Sequence, residues 1–564
     1  MAEQNPLPPK YYLTYFDYLI DFVQNMYGEL LTPSETDFIR CYRSLPEDAR
    51  CLFVRMSNRK GPYFKPETFV YPEIDDIEGN LEQLIQLGFA RYLEIETTEY
   101  PETLLNLLTK GELVQLTRSL EPIIMPSSQI KKNDLVRWLL HENEMHVLLH
   151  AILSNHRFVE VLFSQEVELM KFLFFGNRYD DMTEFVIRDL GHVRYQSFDD
   201  EALSQKFKTR KEMEDALAVS YLKENFLELI TTRPAEDVYE WFELNRSDLS
   251  IDLSEMAKPS LDRLTLRVAQ WLERQKMFDQ ALELYDLTTA PPARERKTRL
   301  LYKIGHLEEA KSLCQEMASF PQNADELYFG QDFYERISSK KYRTVRQTTQ
   351  ALQEADVIYL PSDFRYQVEF GAVDYYLQQG FDAFFSENVP WRSIFGLLFW
   401  DIIYDTNVQA IHHPLQRVPS DFFLPDFYVK REAQLQARMA QLDSTKKIHR
   451  TLTNTFEQKY GIANVLVGWH EALLQQVLTI NTLLSVDQLH QILLEMATDL
   501  RDKARGFPDL LVWRGKEYSF VEIKSPTDHL SARQLYWQHY FREKGVSSKI
   551  VRVKWNEGNK TSST

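Results

Sequence analysis

The chain of 564 residues carries 83 acidic against 65 basic side chains, a net charge of −18, with 44% hydrophobic residues; this describes a globular protein of three or four domains and excludes a disordered or fibrous chain. Its three cysteines, Cys41, Cys51 and Cys314, follow no metal spacing, which excludes a disulfide framework or a cysteine-built zinc site and points to a reducing cytosol. No basic segment followed by an apolar core opens the chain and no apolar run of about 18 residues occurs, so neither export nor a membrane span is expected, and the reading is a soluble cytoplasmic protein.

Glycine is scarce at 18 residues, and strand-rich windows are few before the C-terminus, so a mainly helical body is expected. The acid excess argues against nucleic acid as a partner of the chain as a whole. The stretch from Arg501 to Trp555 runs the other way, with twelve Lys or Arg against six Asp or Glu.

In chain order, Tyr11-Tyr12-Leu13-Thr14-Tyr15-Phe16 begins an amphipathic helix that Leu31-Thr32-Pro33-Ser34 is expected to end. The window Leu45 to Lys60 reads as a winged-helix-style module: Cys51 to Met56 forms its buried helix and Asn58-Arg59-Lys60 a basic turn, either solvated or set against phosphate. Between Pro101 and Glu142 two helices flank an extended connection, the second opening after Pro126. This is similar to a SAP motif, in which a helix N-terminus and basic residues, here Lys131 and Lys132, hold a phosphate; an ordinary helical hairpin fits the same pattern. Arg188 and Arg194 flank Gly191-His192 in a basic, aromatic cluster suited to a nucleic-acid backbone, or to a buried histidine among solvated arginines.

Phe278, Ala281 and Leu284 recur as Leu307, Ala310 and Leu313 at an offset of 29, shorter than the roughly 34 residues of tetratricopeptide repeats, so a degenerate helical array is expected. The basic run Arg294 to Lys303 reads as a solvated helix face, with contact to a DNA end as the lesser alternative. A boundary is placed between Gln350 and Pro361. Helices are then expected at Val368–Leu377, Trp391–Tyr404, Val465–Val477, Val486–Lys503 and Ser531–Lys544, with a last strand Lys549–Trp555 and a polar, disordered tail from Asn556.

The chemistry sits in Gly506 to Lys524. Leu510 to Trp513 and Tyr518 to Lys524 are rich in aromatic and β-branched residues with Gly515 between them, so they form a β-hairpin. The strand period of two puts Glu522 and Lys524 on one face, with Asp509 opposite them. Two close carboxylates repel unless a cation neutralises them, and oxygen ligands suit Mg²⁺ or Mn²⁺.

Pro508-Asp509 and Glu522-Ile523-Lys524 match the motif of the PD-(D/E)XK nucleases. The continuation Ser525-Pro526-Thr527-Asp528 into a helix bearing Gln534 resembles the VRR-NUC domain. Ile394 to Ile403 and Trp469-His470-Glu471 are similar to the segments that mark the Fanconi-associated nucleases within that superfamily. The resemblance implies a multidomain chain, a mainly α-helical N-terminal body with SAP-like and TPR-like parts joined to a C-terminal α/β nuclease domain: residues 1–98 a helical DNA-binding domain, 99–250 SAP-like, 251–360 helical repeats, 361–556 the nuclease. It further implies a structure-selective nuclease that cuts near 5′ flaps and acts 5′ to 3′ in interstrand crosslink repair. Flapped or branched double-stranded DNA would be its partner, in the cytoplasm or bacterial nucleoid, or in the nucleus for eukaryotic relatives. A ubiquitin-binding zinc finger, present in animal members, is missing from the pattern.

By the same resemblance Glu387, Asp509, Glu522 and the main-chain carbonyl of Ile523 are the metal ligands, for two Mg²⁺ or Mn²⁺ ions, with Lys524 completing the catalytic set. Gln534 either positions that lysine or a DNA phosphate, or is an exposed helical glutamine. His470 reads as a core histidine, and Asp401 as a capping or pairing residue. The competing reading is a noncatalytic DNA-junction scaffold on the same fold.

Overall fold

A computed structural model describes residues 7–59, 61–95, 101–120, 129–339 and 344–556. The chain divides into two compact units, 1–192 with 205–210, and 193–204 with 211–564. No described helix is long and apolar enough to cross a membrane. The disordered tail read from Asn556 onward falls at 557–564, outside the described residues.

In the first unit, helices Tyr11–Tyr27, Pro33–Ser44 and Glu47–Ser57 pack through buried Phe16, Phe38, Tyr42 and Phe53. Thr32 does not end the first helix as expected. Its side chain accepts the Glu35 N–H and Glu35 answers at the Thr32 N–H, so Thr-Pro-Ser-Glu is a capping box that starts the next helix.

Three short antiparallel strands follow, β1 (Tyr63–Phe64), β2 (Ala90–Tyr92) and β3 (Val159–Val161), in the order β1-β3-β2. Because β2 and β3 pair directly, residues 93–158 loop out between neighbours. They carry helices Pro101–Leu107, Lys110–Ser119, Lys132–Glu142 and Met145–Asn155 around their own leucine core. The single helix expected before the SAP-like connection is thus two, split where Thr109 and Glu112 form a capping box. The second helix opens at Lys132; the part of its expected start at Ser127-Ser128 lies outside the described residues.

In the second unit, helices Lys258–Arg274, Phe278–Asp286, Ala293–Ile304 and Leu307–Ser319 form two antiparallel pairs. Ala281 and Ala310 are both fully buried, as the repeat requires, whereas Leu313 is only half-buried and Cys314 takes the core place. The basic run between them is paired rather than merely solvated: Arg294 with Glu316 and Glu326, Arg296 with Glu273, Lys297 with Asp286, Arg299 with Glu295.

The C-terminal sheet has five strands: β4 (Asp356–Pro361), β5 (Asp382–Phe385), β6 (Leu510–Arg514), β7 (Glu517–Lys524) and β8 (Ser548–Asn556), ordered β4-β8-β7-β6-β5. β8 is parallel to β4 and β7, while β5-β6-β7 run antiparallel. β4 lies in the stretch read as a domain boundary, so the sheet begins ahead of residue 361. The Gly515-Lys516 turn closes β6 onto β7, with Gly515 at φ 63° as the first central residue of a type II′ hairpin demands.

Helix Val368–Gln378 covers one face through Val368, Ala372 and Tyr376 against Leu510, Val521 and Val551. Helices Val389–Leu398 and Ala532–Glu543 meet on the other through stacked rings: Trp391 on Phe507 at 4.9 Å and Phe507 on Trp537 at 4.2 Å, with Phe520 and Phe541 alongside. The expected Trp391–Tyr404 helix breaks at Phe399, the Val465–Val477 helix starts only at Leu473, and Val486–Lys503 is interrupted at Asp499, which caps a new turn. Phe507 is the middle ring of the stack and fully buried. Phe507→Ala is expected to cost about 3–5 kcal/mol, read as an earlier denaturation midpoint in near-ultraviolet circular dichroism; an unchanged midpoint would contradict the role given to the stack.

Candidate active site

The site is assembled by the register of the hairpin. Leu510 pairs with Val521, so Asp509, one residue earlier, faces Glu522, and its Oδ2 accepts the Ile523 N–H at 2.7 Å. Glu522 is fully buried. Its Oε1 is gripped twice, by Lys524 Nζ at 2.8 Å and by Gln534 Nε2 at 2.5 Å. Its Oε2 is buried with no hydrogen-bond donor.

Gln534 reaches Glu522 because the Ser531–Gln534 capping box fixes the start of its helix, Gln534 Oε1 accepting the Ser531 N–H at 3.0 Å. It therefore positions the carboxylate rather than the lysine, and it is not an idle surface residue. Gly506, at φ 86°, carries the chain past the backbone of Arg533, where a Cβ would lie 3.0 Å from the carbonyl carbon; no other residue fits the turn into Pro508-Asp509.

A second segment, following the neighbouring edge strand β5, clamps this hairpin. Ser386 donates its N–H to the Asp509 carbonyl at 2.8 Å and its hydroxyl to that of Pro508 at 3.0 Å. Asn388 accepts the Gly506 and Phe507 N–H groups on Oδ1 and donates from Nδ2 to Glu387 at 2.8 Å. Asn388 adopts φ 45° and ψ −54°, a strained conformation for a side-chain-bearing residue, paid for by these three bonds. Glu387, exposed at the rim, is thereby tied to Asp509.

The three acids Glu369, Glu387 and Asp509 share a cavity of about 520 Å³ with Phe385, Val389, Pro390, His470 and Gln476. Burial pushes the Asp509 carboxyl up to about 6; the Ile523 N–H and Lys524 oppose the rise, and the charges of Glu387 and Glu369 add to it. Burial, then the charge of Asp509, lifts Glu522 well above the usual carboxylate range. Burial works against the Lys524 ammonium, yet Glu522 beside it holds its pKa above the ordinary value.

Two repelling carboxylates, one with an unbonded buried oxygen, fit a hard divalent cation, which prefers oxygen ligands. Among the described residues no three His, Cys, Asp or Glu side chains already close around one point, so the acids would draw together on the ion.

Comparison with known proteins places this geometry. The FAN1 HTH domain family matches residues 10–91 and the VRR-NUC domain family residues 443–555. A Fanconi-associated nuclease 1 homolog of Pseudomonas aeruginosa is 28% identical across 98% of this chain and 99% of its own length. The homolog of Arabidopsis thaliana is 24% identical over 98% of this chain and 68% of its own. A crystal structure of paFAN1 bound to 2nt 5′ flap DNA with gap superposes with a TM-score of 0.82 at 25% identity, covering 98% of this chain and 99% of that one. Over nearly its whole length the chain is similar to the Fanconi-associated nucleases.

The remaining residues read from the sequence are dispersed. Arg188 falls in the first unit and Arg194 in the second, so the basic cluster is divided between them. Arg188 pairs with Asp189 at 2.6 Å, and Arg194 donates to the Tyr460 carbonyl at 3.1 Å. Lys131 is exposed at the N-cap of helix Lys132–Glu142, whereas Lys132 donates to the Asn106 carbonyl at 2.7 Å. Asp401 pairs with Arg438 at 2.5 Å, as the structural reading had it. His470 is exposed on the cavity wall, not buried in the core.

Sequence reasoning missed Glu369 and Asn388. An acid in the first turn of a helix that follows a strand was the signal for the first; nothing local signals the second, whose partners lie 118 and 119 residues away.

Two outcomes follow from this geometry. Gln534→Ala frees Glu522 and is expected to weaken Mn²⁺ binding roughly tenfold or more, measured by titration calorimetry; unchanged affinity would return Gln534 to a capping role alone. In metal-free protein Asp509 keeps its proton to higher pH folded than unfolded, so stability falls as pH rises from about 4 to about 6 and stays lower above. Asp509→Asn removes that loss. Its melting temperature in chelator at pH 7.5 should exceed the parent's, by about 1–3 kcal/mol of stability, and the two should converge below pH ~4.

Proposed function

We propose that this chain is a divalent-metal-dependent, structure-selective DNA nuclease that hydrolyses phosphodiester bonds near 5′ flaps, continues 5′ to 3′, and serves interstrand crosslink repair. The observation that carries the proposal is the Asp509, Glu522 and Lys524 set on its hairpin, intact in a chain that superposes over nearly its whole length on a relative solved with flap DNA.

Asp509, Glu522, Glu387 and the Ile523 carbonyl would hold Mg²⁺ or Mn²⁺, two ions per site. When bound, such ions polarise the scissile phosphate and lower the pKa of a water. The Ile523 N–H and Gln534 restrain the two central carboxylates, which would still have to close on the ions. Lys524, its ammonium held on Glu522 Oε1, would orient the attacking water and offset the charge that grows on the phosphate oxygens. Water adds at phosphorus, the bond to the 3′ oxygen breaks, and the product carries a 5′-phosphate.

Lys131, Lys132, Arg188 and Arg194 are proposed backbone contacts for the duplex arms, the last three after exchanging their present partners. The enzyme would work on flapped or branched DNA in the cytoplasm or nucleoid. Asp509→Ala should abolish Mn²⁺-dependent cleavage of a labelled 5′ flap, by a factor of about 10³ or more, while flap binding by gel shift persists. Cleavage that survives the substitution, or a parent enzyme inert with Mg²⁺ and Mn²⁺ alike, would favour a noncatalytic junction scaffold.

A further inference from the structure

The cavity that holds the acids has a second wall with no role in holding metal. Phe385 ends β5 and pairs in register with Leu510, the residue after Asp509. It lines the cavity together with Asp509 and Glu387. Phe370, from helix Val368–Gln378, meets it edge to face at 4.8 Å and 66°. Both rings stand open, Phe385 at 36% and Phe370 at 56% of full exposure. Val389, 37% exposed, and Pro390 extend the apolar wall.

Exposed aromatic rings forfeit burial energy wherever they stand, and here two do so together at the rim of the reacting centre. The charge of the cavity limits what can cover them. Its lining contains three carboxylates and no Lys or Arg, so a phosphate is repelled from this wall, whereas a nucleobase offers an uncharged π-face that stacks on aromatic rings whatever its sequence.

We infer that Phe385 and Phe370 form a stacking platform for one unpaired base next to the scissile phosphate. The inference rests on the nuclease reading above and deepens it: flap selectivity arises in part because duplex DNA must break a base pair to fill the platform, and a flap junction supplies a base already unpaired.

The test uses the full chain with a 5′ flap that carries either a normal nucleotide or an abasic site at successive positions around the cut. With Mn²⁺, Phe385→Ala and Phe370→Ala should each lower kcat/KM on the normal flap by about tenfold. One abasic position should cost the parent enzyme about the same and the double variant nothing further. Phe385→Trp should restore the rate. A flap with 2-aminopurine at that position, bound in Ca²⁺ without cleavage, should lose fluorescence with the parent and not with the double variant. Equal abasic penalties in parent and double variant, or equal quenching by both, would overturn the platform. Because the fluorescence arm needs no turnover, a parent enzyme that quenches but never cuts would overturn the nuclease reading and leave the platform supported.

Discussion

The second oxygen of Glu522, fully buried and bonded to nothing in the protein, is the constraint around which the C-terminal unit is arranged. A desolvated carboxylate beside another carboxylate is one of the costlier groups a fold can contain. Lys524 and Gln534 both attach to the other oxygen, and the Ile523 N–H takes Asp509, so the protein satisfies the site by half and no further. Complete satisfaction would stabilise the fold and leave nothing to receive a cation. The raised pKa of both acids is the signature of that choice.

Such strain needs a rigid surround. The ring stack of Trp391, Phe507 and Trp537 anchors the residue two before Asp509. Gly506 fixes the approach to it, and the Ser386 to Asn388 clamp binds the same backbone from the end of the adjacent strand β5. Each device converts packing energy into the position of a carboxylate. The strained backbone of Asn388 and the open oxygen of Glu522 therefore belong to one arrangement, with instability concentrated where chemistry is needed and offset in the apolar layers on both faces.

How much of this could be read beforehand follows from how local each signal is. The hairpin, its acids and the crossing helix lie within forty-odd residues, and alternation, a Gly turn and a Ser-x-x-Gln cap are properties of adjacent residues. β4 and β5 escaped the reading because they are the sheet's edges: both are short and largely exposed, neither Asp-Val-Ile-Tyr-Leu-Pro nor Asp-Ala-Phe-Phe alternates apolar with polar residues, and their partners lie more than a hundred residues away. The same distance hid Asn388. Thr32 misled for another reason, since Pro after Thr looks like a stop until the Glu three places on is seen as the other half of a cap. The basic residues were the least legible of all. Sequence shows a cation but not whether a carbonyl or carboxylate already occupies it, as happens to Lys132, Arg188 and the Arg294 to Lys303 run.

That occupancy bears on the charge of the whole molecule. A chain at −18 must approach a polyanion, and its reaction cavity adds three carboxylates without a lysine or arginine on the wall. Without cations the charge of this cavity opposes a phosphate, most of all beside the desolvated Asp509. Divalent ions held by Asp509 and Glu387 would reverse the sign of the site and so favour entry of a phosphate. DNA held only by basic surfaces elsewhere would rest on the protein without engaging its acids. Productive engagement would thus require metal and phosphate together.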